Sequence, residues 1–204
     1  AVERDRTRIA KDIHDDLGAG LTHISLLTEL ARRTPPEEAG AHLGQITDMA
    51  RELTRGMDEI VWAVDPKNDT LDGLLDYLCK FAQEYLSVAG IRCRLDFPEQ
   101  IPGRELSTDL RHNLFLVVKE SLHNIVKHAH ATEVWLRAVI GEHALEMFIE
   151  DNGRGFASAP DNALSDGLRN MEQRMADIGG AFSVESQPGN GTKIGLRLPW
   201  PENK

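Results

Sequence analysis

Leu43, Ile46, Ala50, Leu53, Met57, Ile60 and Val64 alternate steps of three and four without a fault. A repeat kept that strictly is the seam of a coiled coil or bundle, not the broader stripe of a globular helix. Pro66 stops it. Upstream, Ile9, Ile13, Leu17, Leu21, Ile24 and Leu27 hold helical spacing to about Arg33. Between the two stripes, Thr34-Pro35-Pro36-Glu37 reads as a break and restart, with Thr34 as N-cap, Pro35 in the first turn and Glu37 completing a capping box. A two-helix hairpin cannot enclose a core alone. Two hairpins from two chains can, so the pattern predicts a homodimer built on a four-helix bundle.

The rest of the chain has a different grammar. Leu71, Leu74, Leu75, Leu78, Phe81, Ala82, Tyr85 and Leu86 mark a third helix ending at Gly90, and residues 91–97 alternate like a strand. Residues 98–104 read as a loop. One long amphipathic helix is predicted from Asp109 to His130, with Leu114, Val117, Val118, Leu122 and Ile125 on its apolar side. Residues 134–140 and 144–150 form a hairpin around Gly141-Glu142-His143. Ala157 to Ser165 reads as a mobile lid, Gly167 to Ile178 as a helix stopped by Gly179-Gly180, and residues 182–185 and 193–198 as strands around Pro188-Gly189-Asn190-Gly191. The expected organisation is a hairpin over 1–65 and, over 66–204, an α/β sandwich whose mostly antiparallel sheet carries helices on one face.

Composition narrows the partners. A formal net charge of −10 over 204 residues argues against nucleic-acid or anionic-membrane surfaces. Any phosphate must be met by a few local cations and a metal. Cys79 and Cys93 lack zinc-site spacing and read as buried thiols of a reducing compartment, with a disulfide as the alternative. No apolar run reaches the ~20 residues of a membrane span. The helical pattern at Ala1 suggests a cytosolic fragment of something longer.

Four constellations carry chemistry. In the first helix, His14 falls at the rim of the apolar stripe beside Asp15; the carboxylate can hold or accept the proton on one ring nitrogen, freeing the other to attack. A surface histidine in a charged helix is the alternative. Gly18 and Gly20 each cost about 1 kcal/mol inside a helix, so close approach is expected there. The second set is Glu120, Asn124, Lys127 and His128, stacked on successive turns. Asn124 can ligate magnesium, Lys127 can meet phosphate, and Glu120 can orient a metal-bound water or act as base; a solvated helix face is the alternative. His123, His128 and His130 raise a transition-metal reading, but no carboxylate or thiol closes such a site. The third is Asp151-x-Gly153-x-Gly155, where a strand-end carboxylate can accept from an exocyclic amine such as that of adenine. The fourth is Gly189-x-Gly191-Thr192, a close backbone approach with a hydroxyl, which a hairpin turn explains equally well.

In their order and spacing together, these motifs resemble bacterial two-component sensor histidine kinases of the His-Asp subgroup, whose partners are helix-turn-helix response regulators. The resemblance covers nearly the whole chain. It implies a dimerisation and phosphoacceptor hairpin followed by a GHKL (Bergerat) ATP-binding domain, the fold shared with gyrase and the ninety-kilodalton heat-shock protein. It further implies His14 as phosphoacceptor with Asp15 as activating acid, Glu120 and Asn124 in the N box, Asp151, Gly153 and Gly155 on the adenine side, and Gly189, Gly191 and Thr192 as the last glycine box. Gly167 and Leu168 match a lid-end motif whose amides face phosphates at a helix start. The implied cofactors are ATP and Mg2+, and the implied partner is a response-regulator receiver domain. Movement between domains implies a flexible junction near Asp65 to Thr70. A non-catalytic nucleotide-responsive relay, and an ATPase of the same fold that makes no phosphohistidine, are the rival readings. There are two departures: Ala19 stands where dephosphorylating relatives carry Gln, and Ser165-Asp166 precede Gly167 where Gly-His is usual.

Overall fold

The computed structural model describes residues 18, 20–35, 39–50, 53, 69–157 and 164–200. His14, Asp15, Ala19, Glu37, most of the lid and residues 65–68 of the expected junction lie outside them. Two compact units emerge, residues 1–68 and 69–204.

In the first unit, helices α1 (20–33) and α2 (39–50) flank the proline turn. The Thr34 hydroxyl and amide both donate to the Leu30 carbonyl, at 2.8 and 3.0 Å, and so finish α1; the amides that its expected cap of α2 would bond lie outside the described residues. Of the two helix glycines, Gly20 meets the expectation of close approach, because a Cβ there would stand 2.5 Å from Leu53 Cδ2. Around Gly18 the described residues put nothing within 4 Å of a Cβ. Leu27 is buried at 6% exposure, but Leu21, Leu26, Leu30 and Leu43 are 43–59% exposed.

The second unit begins with α3 (Leu71–Val88), whose N-cap Thr70 accepts from the Gly73 amide. Strand β1 (Arg92–Asp96) follows, then α4 (Thr108–Asn124), capped by Ser107, and a π turn (Ile125–Ala129) ending at His130 with φ of 53°. Strands β2 (Glu133–Ile140) and β3 (Ala144–Asp151), helix α5 (Leu164–Asp177), and strands β4 (Ala181–Ser186) and β5 (Thr192–Pro199) complete it. The sheet order is β1-β2-β3-β5-β4, parallel only between β1 and β2. Period-2 alternation puts Leu136, Met147, Ile149 and Leu196 into the core. They pack with Leu74, Leu78, Leu114 and Val118 from the helices, all at most 2% exposed. Phe115 locks α4 to α3 by an edge-on contact with Phe81, ring centroids 5.1 Å apart.

Three expectations change here. The helix of residues 109–130 is not one regular helix, because the π turn widens its last turn and the register drifts after Asn124. Helix α5 starts at Leu164, three residues before the expected Gly167. The described end of the junction is held, not loose: Asp69 pairs with the fully buried Arg111, its carbonyl accepts from the Leu106 amide at 2.8 Å, and Thr70 bridges Glu105. Burial of the fixed-charge guanidinium demands such a partner. Cys79 and Cys93 are free and only half-buried.

Candidate functional site

Asp151 ends β3 facing inward and is 3% exposed. Its Oδ1 accepts from the Gly153 amide at 2.7 Å, and the Thr192 amide also bonds the carboxylate. Desolvation nevertheless pushes its pKa up from the ordinary carboxylate value; the two amides oppose that shift and the neighbouring Glu150 adds to it. Such a group is an oriented acceptor held in an apolar wall.

The glycines around it are there for space. A Cβ on Gly153 would stand 2.3 Å from the Ala129 carbonyl oxygen, and one on Gly155, which has φ of +58°, would stand 2.1 Å from that of Gln187. On Gly191 it would meet the Asp151 carbonyl oxygen at 1.9 Å. The loop after β3 is thereby pressed between the π turn and the β4–β5 turn, where any side chain would break it open. Gly189 has open space at its Cβ position and sits on the exposed turn, where its amide donates to the Arg154 carbonyl at 2.7 Å.

These constraints enclose a cavity of about 70 Å³. Asn124, His128, Asp151, Gly155, Leu168 and Thr192 come together there. Ser121 and Ile125, read from the sequence only as part of the helix's apolar side, also line it, as do Ile149, Arg154, Phe156 and Ile194, which were not named as site residues. Helical and strand periods carried the signal for several: Ser121 and Ile125 flank Asn124 on one helix face, and Ile149 and Ile194 stand two residues from Asp151 and Thr192. Arg154, between two glycines, had no periodic signal.

Glu120 and Gly167 line a second, wider cleft of about 230 Å³ between α4 and α5, with Lys119, His123, Asn170 and Arg174. Glu120 Oε1 accepts from the Asn124 amide nitrogen at 3.3 Å. Gly167 lets α5 rest on this pair, since a Cβ there would meet Glu120 Oε1 at 3.1 Å. Lys127 lines neither space and is exposed, which corrects its expected stacking above Asn124; the widened turn carries it round the helix. Asp166 is likewise exposed and lines neither. Because α5 starts at Leu164, the amides without helical partners run only to Gly167, and that of Leu168 is used inside the helix.

Among the described residues, no group of three or more His, Cys, Asp or Glu could hold a metal. No helix among them is long and apolar enough to cross a membrane.

Residues 5–69 match the family model described as histidine kinase, and residues 109–202 match that of the histidine kinase-, DNA gyrase B- and HSP90-like ATPases. Sensor histidine kinase LiaS of Bacillus subtilis (strain 168) is 28% identical over 207 residues, covering 100% of this chain and 56% of LiaS. Sensor histidine kinase YhcY of the same organism is 29% identical over 210 residues, covering 100% and 52%. The chain spans about half the length of these curated relatives. In fold it is similar to the histidine kinase domain of the Erythrobacter litoralis EL346 blue-light activated kinase, with a TM-score of 0.58 at 18% identity over 89% of this chain and 94% of that one. Acinetobacter baumannii histidine kinase AdeS gives 0.59 at 14% identity over 91% and 97%. Matched in order over both its units, the chain belongs to the sensor histidine kinases and carries their phosphoacceptor-type hairpin and ATP-binding catalytic domain.

Proposed function

We propose that the chain is the core of an ATP-dependent protein-histidine kinase, divided into functional domains at residues 1–65 and 66–204. The observation that carries this reading is the buried Asp151 carboxylate, oriented by the Gly153 and Thr192 amides and with lone pairs beyond those two bonds to accept from an exocyclic amine, on the wall of a cavity that Asn124 also lines. A base bound there has its amino edge at Asp151 and Thr192, between the close backbone approaches at Gly153, Gly155 and Gly191. Its phosphates run toward Asn124, His128 and the first turn of α5.

The donor set fits magnesium of the substrate-borne kind. Asn124 spends its amide nitrogen on Glu120, which leaves its hard amide oxygen for a cation, and such an ion takes its remaining ligands from phosphates and water. Bound magnesium neutralises phosphate charge. Glu120 orients the Asn124 amide, and its carboxylate would hold a water of the ion's shell. In the transfer step a ring nitrogen of His14 attacks the γ-phosphorus in line, the N–P bond forms as the P–O bond to ADP breaks, and Asp15 holds the proton on the other ring nitrogen. Positioning and charge neutralisation supply most of the rate. The phosphoryl group then passes to an aspartate of a receiver domain.

The exposed leucines of α1 and α2 support a homodimer, since a second hairpin would cover them. With Ala19 in place of Gln, the reverse dephosphorylation of the regulator is expected to be slow, and rapid dephosphorylation of the phosphorylated regulator would overturn that reading.

Incubating the purified chain with γ-labelled ATP and magnesium is the test. Acid-labile, alkali-stable label is expected, absent in His14→Gln and in Asn124→Asp while both remain dimeric. No label in the wild type sinks the kinase reading, and label surviving in His14→Gln sinks the acceptor assignment.

A further inference from the structure

Among the described residues, Arg154 is the one on the nucleotide cavity's wall with a permanent positive charge, and no role in the motifs accounts for it. Its backbone is clamped from both sides: its amide donates to the Ala129 carbonyl at 2.8 Å, and its carbonyl accepts from Gly189 at 2.7 Å. Neither flanking glycine has room for a Cβ. The loop is therefore pinned to the π turn and to the β4–β5 turn, and only the side chain is free to move.

That side chain is exposed and makes no hydrogen bond or ion pair among the described residues. Four other arginines of the same unit are committed: Arg94 to Glu133, Arg111 to Asp69, Arg137 to Asp96 and Arg197 to Glu146. A guanidinium left without a carboxylate in a chain this acidic, on a pinned loop at the rim of a cavity, is available to a ligand.

Two parts of a nucleotide could use it. Arg154 stands three residues from Asp151, on the loop that presents the carboxylate to the base, whereas Glu120, Asn124 and the start of α5 lie on other elements. Phe156, two residues on along the same loop, also lines the cavity, and its apolar ring suits a planar base better than a hydrated phosphate. We propose that Arg154 is a positioning residue that lays its planar guanidinium over the face of the bound purine, closing the base end of the site. Planarity and weak hydration make this a role for arginine and not for lysine.

The inference rests on the nucleotide reading of the cavity, and titration calorimetry of the full chain separates the two. Adenosine, ADP and ATP with magnesium are titrated into wild type, Arg154→Ala and Arg154→Lys at low and high salt. Stacking on the base predicts that Arg154→Ala weakens all three ligands by a similar factor, about tenfold, with little salt dependence, and that Arg154→Lys recovers little of the loss. A loss confined to ADP and ATP, growing with phosphate charge, shrinking in salt and rescued by lysine, overturns stacking in favour of a phosphate contact. Unchanged affinity in Arg154→Ala overturns any role for the side chain while leaving the nucleotide site standing. A wild type that binds none of the three overturns both readings. An unchanged circular-dichroism melting curve for each variant shows that the loop still folds.

Discussion

The two units spend their leucines in opposite ways. In the α/β unit Leu71, Leu74, Leu75 and Leu78 of one helix are all at 0% exposure, whereas in the hairpin Leu21, Leu26 and Leu43 each leave more than half their surface in water. Both helices are amphipathic by the same spacing. The difference is the second layer: α3 has a sheet and α4 to cover it, and a lone hairpin has nothing. A unit that hides its leucines can stand alone, and exposed leucines on the hairpin are what the proposed dimer would cover.

The largest expected effect would break this comparison outright. Leu43→Asp puts a charge into the proposed dimer seam and should cost about 3 kcal/mol or more of association, seen as a monomer by sedimentation. Val88→Asp alters a still more exposed residue of α3, at 82%, and should change stability by less than about 0.5 kcal/mol. Equal behaviour of the two would mean that the exposed leucines are merely solvated.

Next in size, Leu78→Ala should cost the α/β unit about 2–5 kcal/mol. In urea its transition should move to lower concentration while dimerisation persists; a joint shift would show that the units fold as one.

Within the hairpin, Gly18→Ala should stabilise by about 0.5–1 kcal/mol because no described residue stands within 4 Å of its Cβ position. Gly20→Ala should forfeit that gain, since the Leu53 side chain must move. Thermal melts of both variants test whether the hairpin is packed at one glycine and bare at the other, and equal gains would refute it.

The smallest effect concerns the buried carboxylate. Because folding raises the Asp151 pKa, its ionised form opposes folding at neutral pH, and that cost is relieved as pH falls through the folded-state value. Asp151→Asn keeps an acceptor for Gly153 and should therefore melt at the same or a higher temperature at pH 7, with the advantage fading as the solution is acidified. Its affinity for adenine nucleotides should still fall, because an amide N–H2 then faces the base's own amine. A variant less stable at pH 7 would show that the charge itself is needed for the fold.

Periodicity and motif order alone determined the hairpin, the strand pairs, the class of the second unit and the resemblance to the histidine kinases. Those depend on local spacing: heptads at Leu43 to Val64, alternation at Val134 to Ile140, and glycines placed after a strand-end acid. The sequence also placed Asn124, His128, Asp151 and Thr192 as candidates, because each belongs to a motif with a chemical reason. What it could not decide depends on exact register and on distant partners. The π turn, which removes Lys127 from the line of Asn124, comes from one extra residue per turn, which hydrophobic spacing does not resolve. The Thr34 hydroxyl finishes α1 because the Leu30 carbonyl is in reach, and Asp69 is held because Arg111 lies buried forty-two positions away. Arg154 became visible only when the glycines beside it proved to pin its backbone between two other parts of the fold, since a residue's position on a cavity wall is set by tertiary contacts and not by its neighbours in the chain.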